Sequence, residues 1–550
     1  MSTIVNQRRV GWHLGLIAVL LFLHRVSAAE PPAWVADLRS AVAAELSAEA
    51  LPLAQVQPAI EVTSTYDPAQ GRMQGSMQVA LHNDGAEPWS EIGFVLHANN
   101  ARSYVGTGIT INAATVDGRA VVPRLVADGR GVLLPLTTPL APGAWTTCTL
   151  AFTTTIPEEG GRAGLLTRSA HGHHLYSWLP EPAIHRGGWD FPALVAFSDP
   201  SFVRAADYRW RLTLPTGWTL VAGGQESRQT DGTWLVLAPR IRNLVAWVSD
   251  QPVEVMRLTP PSGPEVRVAY IGKHTVRAAF CASVARDALI IASEMFGAYP
   301  RRSYDIVFAT FALQVGGMEA SGMTFLHEPL FAKLNWRGRD PLTDQENSLL
   351  HATIHEVLHS WWYDQVGNDT HREPWLDEPL TEWSTWYVME RLRSENTMQM
   401  LIGTRLPAMM AIAKESAPLD TAGDRMSEMQ FGVLLYCRGP LMYQALRVEV
   451  GDDALFAALR EWYRQHSGGV VTRADWDRTF LTLLPEERRA AFTRSWLTGT
   501  DDPVPASMDL VLKSGQAASI RQMVENARSA AAEQKPVAPV TPPPPATPVP

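Results

Sequence analysis

Two textures divide the chain, and together they restrict what it can fold into. From Val56 to about Glu254 short alternating runs such as "AIEVTSTYDP", "GSMQVALHND", "WTTCTLAFTTT" and "YRWRLTLPTGWTLVAGG" follow one another, separated by Gly, Pro, Asn and Asp. Side chains on a strand point alternately to two faces, so this pattern needs one face buried, and the turn residues fold the strands back on each other. A large antiparallel β domain over residues 55–254 is the expected product. A short amphipathic lead-in helix is expected before it, within residues 29–54 ("AWVADLRSAVAAELSAEAL"). Beyond 255 the pattern mixes: a strand "EVRVAYIG", a helical run Ala278 to Met295, a strand "SYDIVFATF" and a Gly-rich edge "VGGMEASGMTFL". Helices dominate from Asp344 to about Thr498, which makes 255–505 an α+β domain, mainly helical in its second half.

A chain of 550 residues exceeds one compact core, so several domains are expected. The formal net charge is -9, with no Lys/Arg block, which argues against a nucleic-acid partner and against electrostatic attraction to anionic lipid. Arg8 and Arg9 precede the apolar run "VGWHLGLIAVLLFL" and then "HRVSAAE", the order of an export signal over residues 1–28 cut after Ala28 or Ala29. The run is short for a bilayer span, which takes roughly 20 residues. The alternative is an uncleaved signal anchor, the only membrane contact expected. The localisation expected is periplasmic or extracellular. Cys148, Cys281 and Cys437 can form at most one bridge and no thiolate metal cluster, so a metal would fall to His and carboxylate ligands. Residues 506–550, a helical stretch followed by "KPVAPVTPPPPATPVP", cannot build a core and read as a disordered tail.

The chemistry concentrates in "HEVLHSWW", His355 to Trp362. On a helix, positions four apart share a face, so His355 and His359 project side by side and can share one ion. Glu356 is rotated by about 100° and is left free to take a proton from water. A catalytic zinc takes three protein ligands and keeps one position open. Glu378 in "PWLDEPLTEW" is the candidate third ligand, with eighteen residues between it and His359, enough to end one helix and begin an antiparallel second. Pro379 after it is tolerable in a first helical turn if Asp377 caps that helix. His351, one turn before His355, reads as a satisfied core histidine. His171, His173 and His174 in "HGHH" read as a solvated, Gly-flanked loop rather than a metal site.

In these residues and their surroundings the sequence resembles the aminopeptidase N-type zinc peptidases, gluzincins related to leukotriene hydrolase. The elements occur in family order. "FGAYP…YDIVF" is similar to the approach to the active-site edge strand, and "GGMEASG" (Gly316 to Gly322) to the Gly-x-Met-Glu-Asn signature. "HEVLHSWW…WLDE" is similar to the zinc motif, "LLYCRGPLMY" (Leu434 to Tyr443) to a Tyr-x-Lys-Gly element, and "FTRSWLTG" to the end of the catalytic domain. The resemblance implies an N-terminal antiparallel β-sandwich-like domain followed by a thermolysin-like α+β zinc peptidase domain. It implies one Zn2+ on His355, His359 and Glu378, and Glu356 as general base and later acid. Glu319 would bind the free α-amino group of a peptide substrate, Gly317 and Met318 would lend backbone groups to it, and Tyr436 would stabilise the oxyanion. Ala320 stands where the signature has asparagine, and Pro379 where glycine usually follows the third ligand. The resemblance also implies a short form, without the C-terminal helical-repeat domain of longer relatives, and hence a more open cleft.

The expected activity is that of an exported zinc aminopeptidase. A thermolysin-like zinc endopeptidase and a non-catalytic envelope binding protein on a peptidase fold are the alternatives. Glu319 argues against the first, because internal bonds present no α-amine. Retention of His355, Glu356, His359, Glu378 and Tyr436 argues against the second.

Overall fold

A computed structural model describes residues 30–53, 55–100, 105–158, 165–192, 195, 202–310, 316–328, 344–393, 397–398, 401–402 and 417–500. The proposed export signal and the tail lie outside the described residues.

The lead-in helix spans Ala33–Ala43 and lays Val35, Leu38 and Val42 on the β domain. Eight strands form the largest sheet, in the order Gln225–Arg228, Trp234–Ile241, Ala206–Thr213, Ala59–Asp67, Arg72–His82, Trp145–Thr155, Gly108–Val116 and Arg119–Val121. Trp145–Thr155 shows why the alternation was legible: every second residue from Thr146 to Thr154 is buried, and the residues between are not. The sheet is not wholly antiparallel. Ala59–Asp67 pairs in parallel with Ala206–Thr213, joining segments too far apart for a hairpin. Two four-stranded sheets and a two-stranded one complete the domain, around a core that includes Trp178, Trp210 and Trp247. Within it "HGHH" is a solvated turn only at His171. Gly172–Leu175 is a strand paired on both sides, His174 is buried, and Tyr66 Oη lies 2.7 Å from His173 Nδ1.

A five-stranded sheet joins the two halves, in the order Val253–Leu258, Glu265–Ile271, Ser303–Ala309, Met323–His327 and Gly317–Ala320. One face, with Ala269, Val307 and Phe325, continues the core of the β domain. The other, with Val266, Val268, Tyr304, Ile306 and Leu326, packs on the helices. Strands buried on both faces read as near-continuous apolar runs, as "YDIVFA" does. The helix Thr275–Phe296 presents Ala278, Ala282, Ala285 and Ala292 to the core. Those small side chains allow close approach of the helix Asp344–Leu358 that carries the first histidine. Cys148, Cys281 and Cys437 are buried free thiols.

Candidate metal centre and peptide-binding edge

The His-Glu-x-x-His segment closes its helix. Helical bonding persists from His359 N to His355 O (3.3 Å), after which the chain turns sharply and Tyr363 takes φ 109°. A non-Gly residue there is strained, and the surroundings hold it. Asn243 donates to the Tyr363 hydroxyl (2.5 Å) and to the Tyr176 hydroxyl (2.6 Å). Arg242 donates to the Tyr363 and Asp364 carbonyls, and Arg301 pairs with the Asp364 carboxylate. The second helix, Glu378–Leu392, begins after a 3-10 turn at Pro374–Leu376. Asp377 occupies its N-cap position, but its side chain makes no cap hydrogen bond. It points instead at His359, with Oδ1 3.1 Å from Nδ1. The expected capping role is therefore absent: Asp377 takes φ -107° and ψ -79°, outside the extended backbone that a side-chain cap needs, and its carboxylate faces His359 instead.

His355, His359 and Glu378 converge. His355 Nε2 lies 3.2 Å from His359 Nε2 and 3.2 Å from Glu378 Oε2, and His359 Nε2 is 3.6 Å from the same oxygen. Both Nδ1 atoms face acceptors: Glu382 Oε2 at 3.1 Å for His355, the Trp362 carbonyl at 3.0 Å for His359. The ring protons therefore belong on Nδ1, and two Nε2 lone pairs and a carboxylate oxygen face one point. Four ligands at about 2.0–2.1 Å around zinc span tetrahedral edges of roughly 3.3–3.4 Å, so these spacings fit that ion. The charge agrees. Burial opposes charge on His355, but the carboxylates of Glu378 and Glu382 outweigh it and hold its pKa well above the usual value. For His359 burial is likewise outweighed, by Asp377 and Glu378, and the pKa reaches about 9. The carboxylates favour positive charge here, whether imidazolium or a divalent cation.

Glu356 does not join this triad. Burial pushes its carboxyl up to about 7 against the lowering effect of the two histidines. That value suits a proton carrier near neutral pH. Its Oε2 is buried without a hydrogen-bond partner, and its backbone carbonyl accepts from the Tyr304 hydroxyl (3.1 Å). The edge strand Gly317–Ala320 runs directly against it. A Cβ on Gly317 would lie 2.6 Å from Glu356 Cγ, so no side chain fits at that position. Glu319, two residues on, offers a buried carboxylate oxygen in a group with Glu356 and His359 whose atoms all lie within 4.8 Å of one another. Gly317 and Met318 pair with Leu326 and Phe325 on one side. Among the described residues no strand pairs on the other side.

Tyr436 enters from a π-helical turn, Leu434–Arg438, a backbone irregularity that re-aims side chains. Its half-buried hydroxyl donates to Glu378 Oε1 (2.5 Å). Gly439 allows that approach: a Cβ there would lie 2.4 Å from Pro379 Cβ, so the turn packs directly on the proline ring at the start of the helix.

The geometry thus gathers His355, His359, Glu378, Glu356, Glu319 and Tyr436 at one place, beside the strand that holds Gly317 and Met318. Residues 281–496, which include all of them, match the peptidase family M1 domain. Over this stretch the chain resembles that family. The chain is 21% identical over 322 residues to aminopeptidase N of Streptomyces lividans, covering 55% of this chain and 35% of that protein. It is 31% identical over 101 residues to aminopeptidase B of Rattus norvegicus, covering 18% of this chain and 14% of that protein. The chain spans about a third or less of the length of these curated relatives. Among solved structures, the M1 zinc metallopeptidase of Deinococcus radiodurans is similar with a TM-score of 0.57 at 21% identity, over 82% of this chain and 96% of that one. A mutant of that enzyme bound to a Tyr-Ser-Ala substrate gives 0.56 at 19%, with the same coverage. The shared architecture is a β-rich N-terminal domain and a helical M1 domain.

Sequence reasoning passed over Glu382 and misread Asp377. Both stand behind the candidate ligand histidines, His359 and His355. Glu382 could have been noticed, since it lies one helical turn beyond Glu378 on the same face. Asp377 carried only its N-cap signal.

Proposed function

We propose that this chain is a zinc aminopeptidase that removes N-terminal residues from peptides with a free α-amino group. The observation that carries the reading is Glu319, a buried carboxylate brought beside Glu356 and His359 at the edge strand. An ammonium group paired with Glu319 sets the scissile bond one residue away, over the triad.

His355, His359 and Glu378 would hold one zinc ion, which supplies Lewis acidity toward the scissile carbonyl and toward water. Gly317 and Met318 offer an edge to which an extended peptide can add as a strand. Glu356 takes a proton from the attacking water and passes it to the departing amine. The Tyr436 hydroxyl, poised at Glu378, donates to the oxygen that gains negative charge. Binding by Glu319 is electrostatic and needs a charged amine, so N-acetylated and internal bonds are disfavoured. That separates the reading from a thermolysin-like endopeptidase. The reading includes export to the periplasm or beyond, supported by Arg8, Arg9 and the apolar run that follows. Among the described residues no helix is long and apolar enough to cross a membrane.

The test is a panel of fluorogenic aminoacyl amides and their N-acetylated counterparts, with wild type, Glu356→Ala and Glu319→Ala, with and without a chelator. Hydrolysis of the free amines alone, lost on chelation and in Glu356→Ala, is expected. Full activity in Glu319→Ala would remove the exopeptidase assignment and leave the metal centre standing. Sequencing the N-terminus of the protein from its native host tests export, with a start at Ala29 or Glu30 expected.

A further inference from the structure

One helix contacts both nitrogens of a single imidazole. Glu378 faces His355 Nε2 at 3.2 Å, and Glu382, one turn later, meets His355 Nδ1 at 3.1 Å. Glu382 is wholly buried, a costly place for a charge unless several donors converge on it. They do: its second oxygen accepts from Trp386 Nε1 at 2.9 Å and lies 3.0 Å from His351 Nε2. His351 stands one turn before His355 on the metal helix, and the two rings lie nearly parallel, 5.9 Å apart at 17°. Three histidines at successive turns thus divide into two that face the triad and one that faces the carboxylate behind it.

We infer that Glu382, held in place by His351, is a positioning residue that fixes the tautomer and orientation of His355 and so sets the affinity of the centre for zinc. A carboxylate that accepts the remote N–H of a ligand imidazole raises its basicity, and losing such a partner typically weakens metal binding by about 10- to 100-fold. His351 keeps Glu382 Oε2 on His355 by occupying Oε1. This rests on the metal reading of the site and is independent of the aminopeptidase assignment.

The experiment measures the zinc dissociation constant by chelator competition, together with the melting temperature of the metal-free protein. It compares wild type, Glu382→Gln, His351→Leu and His351→Gln. Expected is a loss of about 10- to 100-fold in zinc affinity for Glu382→Gln. A smaller loss is expected for His351→Leu, with recovery toward wild type in His351→Gln, whose amide can still donate to Glu382. Zinc affinities of the folded variants within twofold of wild type would overturn the inference, and a lowered metal-free melting temperature with unchanged affinity would assign the network to stability alone. If Glu382→Gln does not fold, the ordering of the two His351 variants decides, and equal affinity of the two overturns it. Failure of wild type itself to bind zinc would sink the metal reading instead.

Discussion

Gly317→Ala tests whether the edge strand and Glu356, the proposed general base, are placed as tightly as the geometry implies. The added methyl carbon would lie 2.6 Å from Glu356 Cγ and Oε1 and 2.7 Å from Cδ. Ordinary carbon contacts begin near 3.5 Å, so something must yield by about 1 Å. The helix cannot easily recede, because the Tyr304 hydroxyl holds the Glu356 carbonyl and the helix packs on the Ala-rich face of Thr275–Phe296. Two responses remain. If the Glu356 side chain swings away, kcat falls while KM changes little, and a misplacement of this size costs about 100-fold. If the strand backs off, Glu319 moves with it and KM rises as well. The assay is steady-state hydrolysis of a free-amine aminoacyl amide, with zinc content measured alongside and expected to stay at the wild-type level. Gly188→Ala, where a Cβ meets open space, is the control. Values of kcat and KM both within twofold of wild type would refute the placement of Glu356 against this strand.

Tyr436→Phe leaves all three ligands in place and removes the hydroxyl that donates to Glu378. It should lower kcat by about 100- to 1,000-fold with zinc content unchanged, and retention of more than half of the activity would exclude Tyr436 from oxyanion stabilisation. Away from the centre, Glu181 is buried without hydrogen-bond partners, 4.0 Å from His97, and burial pushes its carboxyl from the usual 4.5 up to about 8. The folded protein therefore holds this proton where the unfolded chain has lost it. The resulting stability is complete below about pH 4.5 and declines toward about pH 8, by about 1.4 kcal/mol per pH unit for one proton. Glu181→Gln should abolish that slope, so the stability of the variant relative to wild type rises between pH 5 and 8 in denaturant titrations, and parallel curves would contradict the assignment.

What the sequence determined by itself was local. The spacing of His355 and His359 places them on one helical face whatever surrounds the helix, and Glu356 is rotated away for the same reason. Alternation in strands such as Trp145–Thr155 marks which residues turn inward. Motif resemblance then added Glu319 and Tyr436, whose proximity to the triad no spacing argument supplies. Only the tertiary structure decided the contacts between elements distant in sequence. It paired Ala59–Asp67 in parallel with Ala206–Thr213, put His173 and His174 inside a sheet, and turned Asp377 from a cap into a partner of His359. It set Gly317 against Glu356 and Pro379 against Gly439. It also gave His351 its purpose, as the neighbour of a carboxylate reached from another helix. Backbone periodicity is intrinsic to each segment. Which buried charges meet is settled only when whole elements pack, because each must find a partner in the one arrangement that also closes the core.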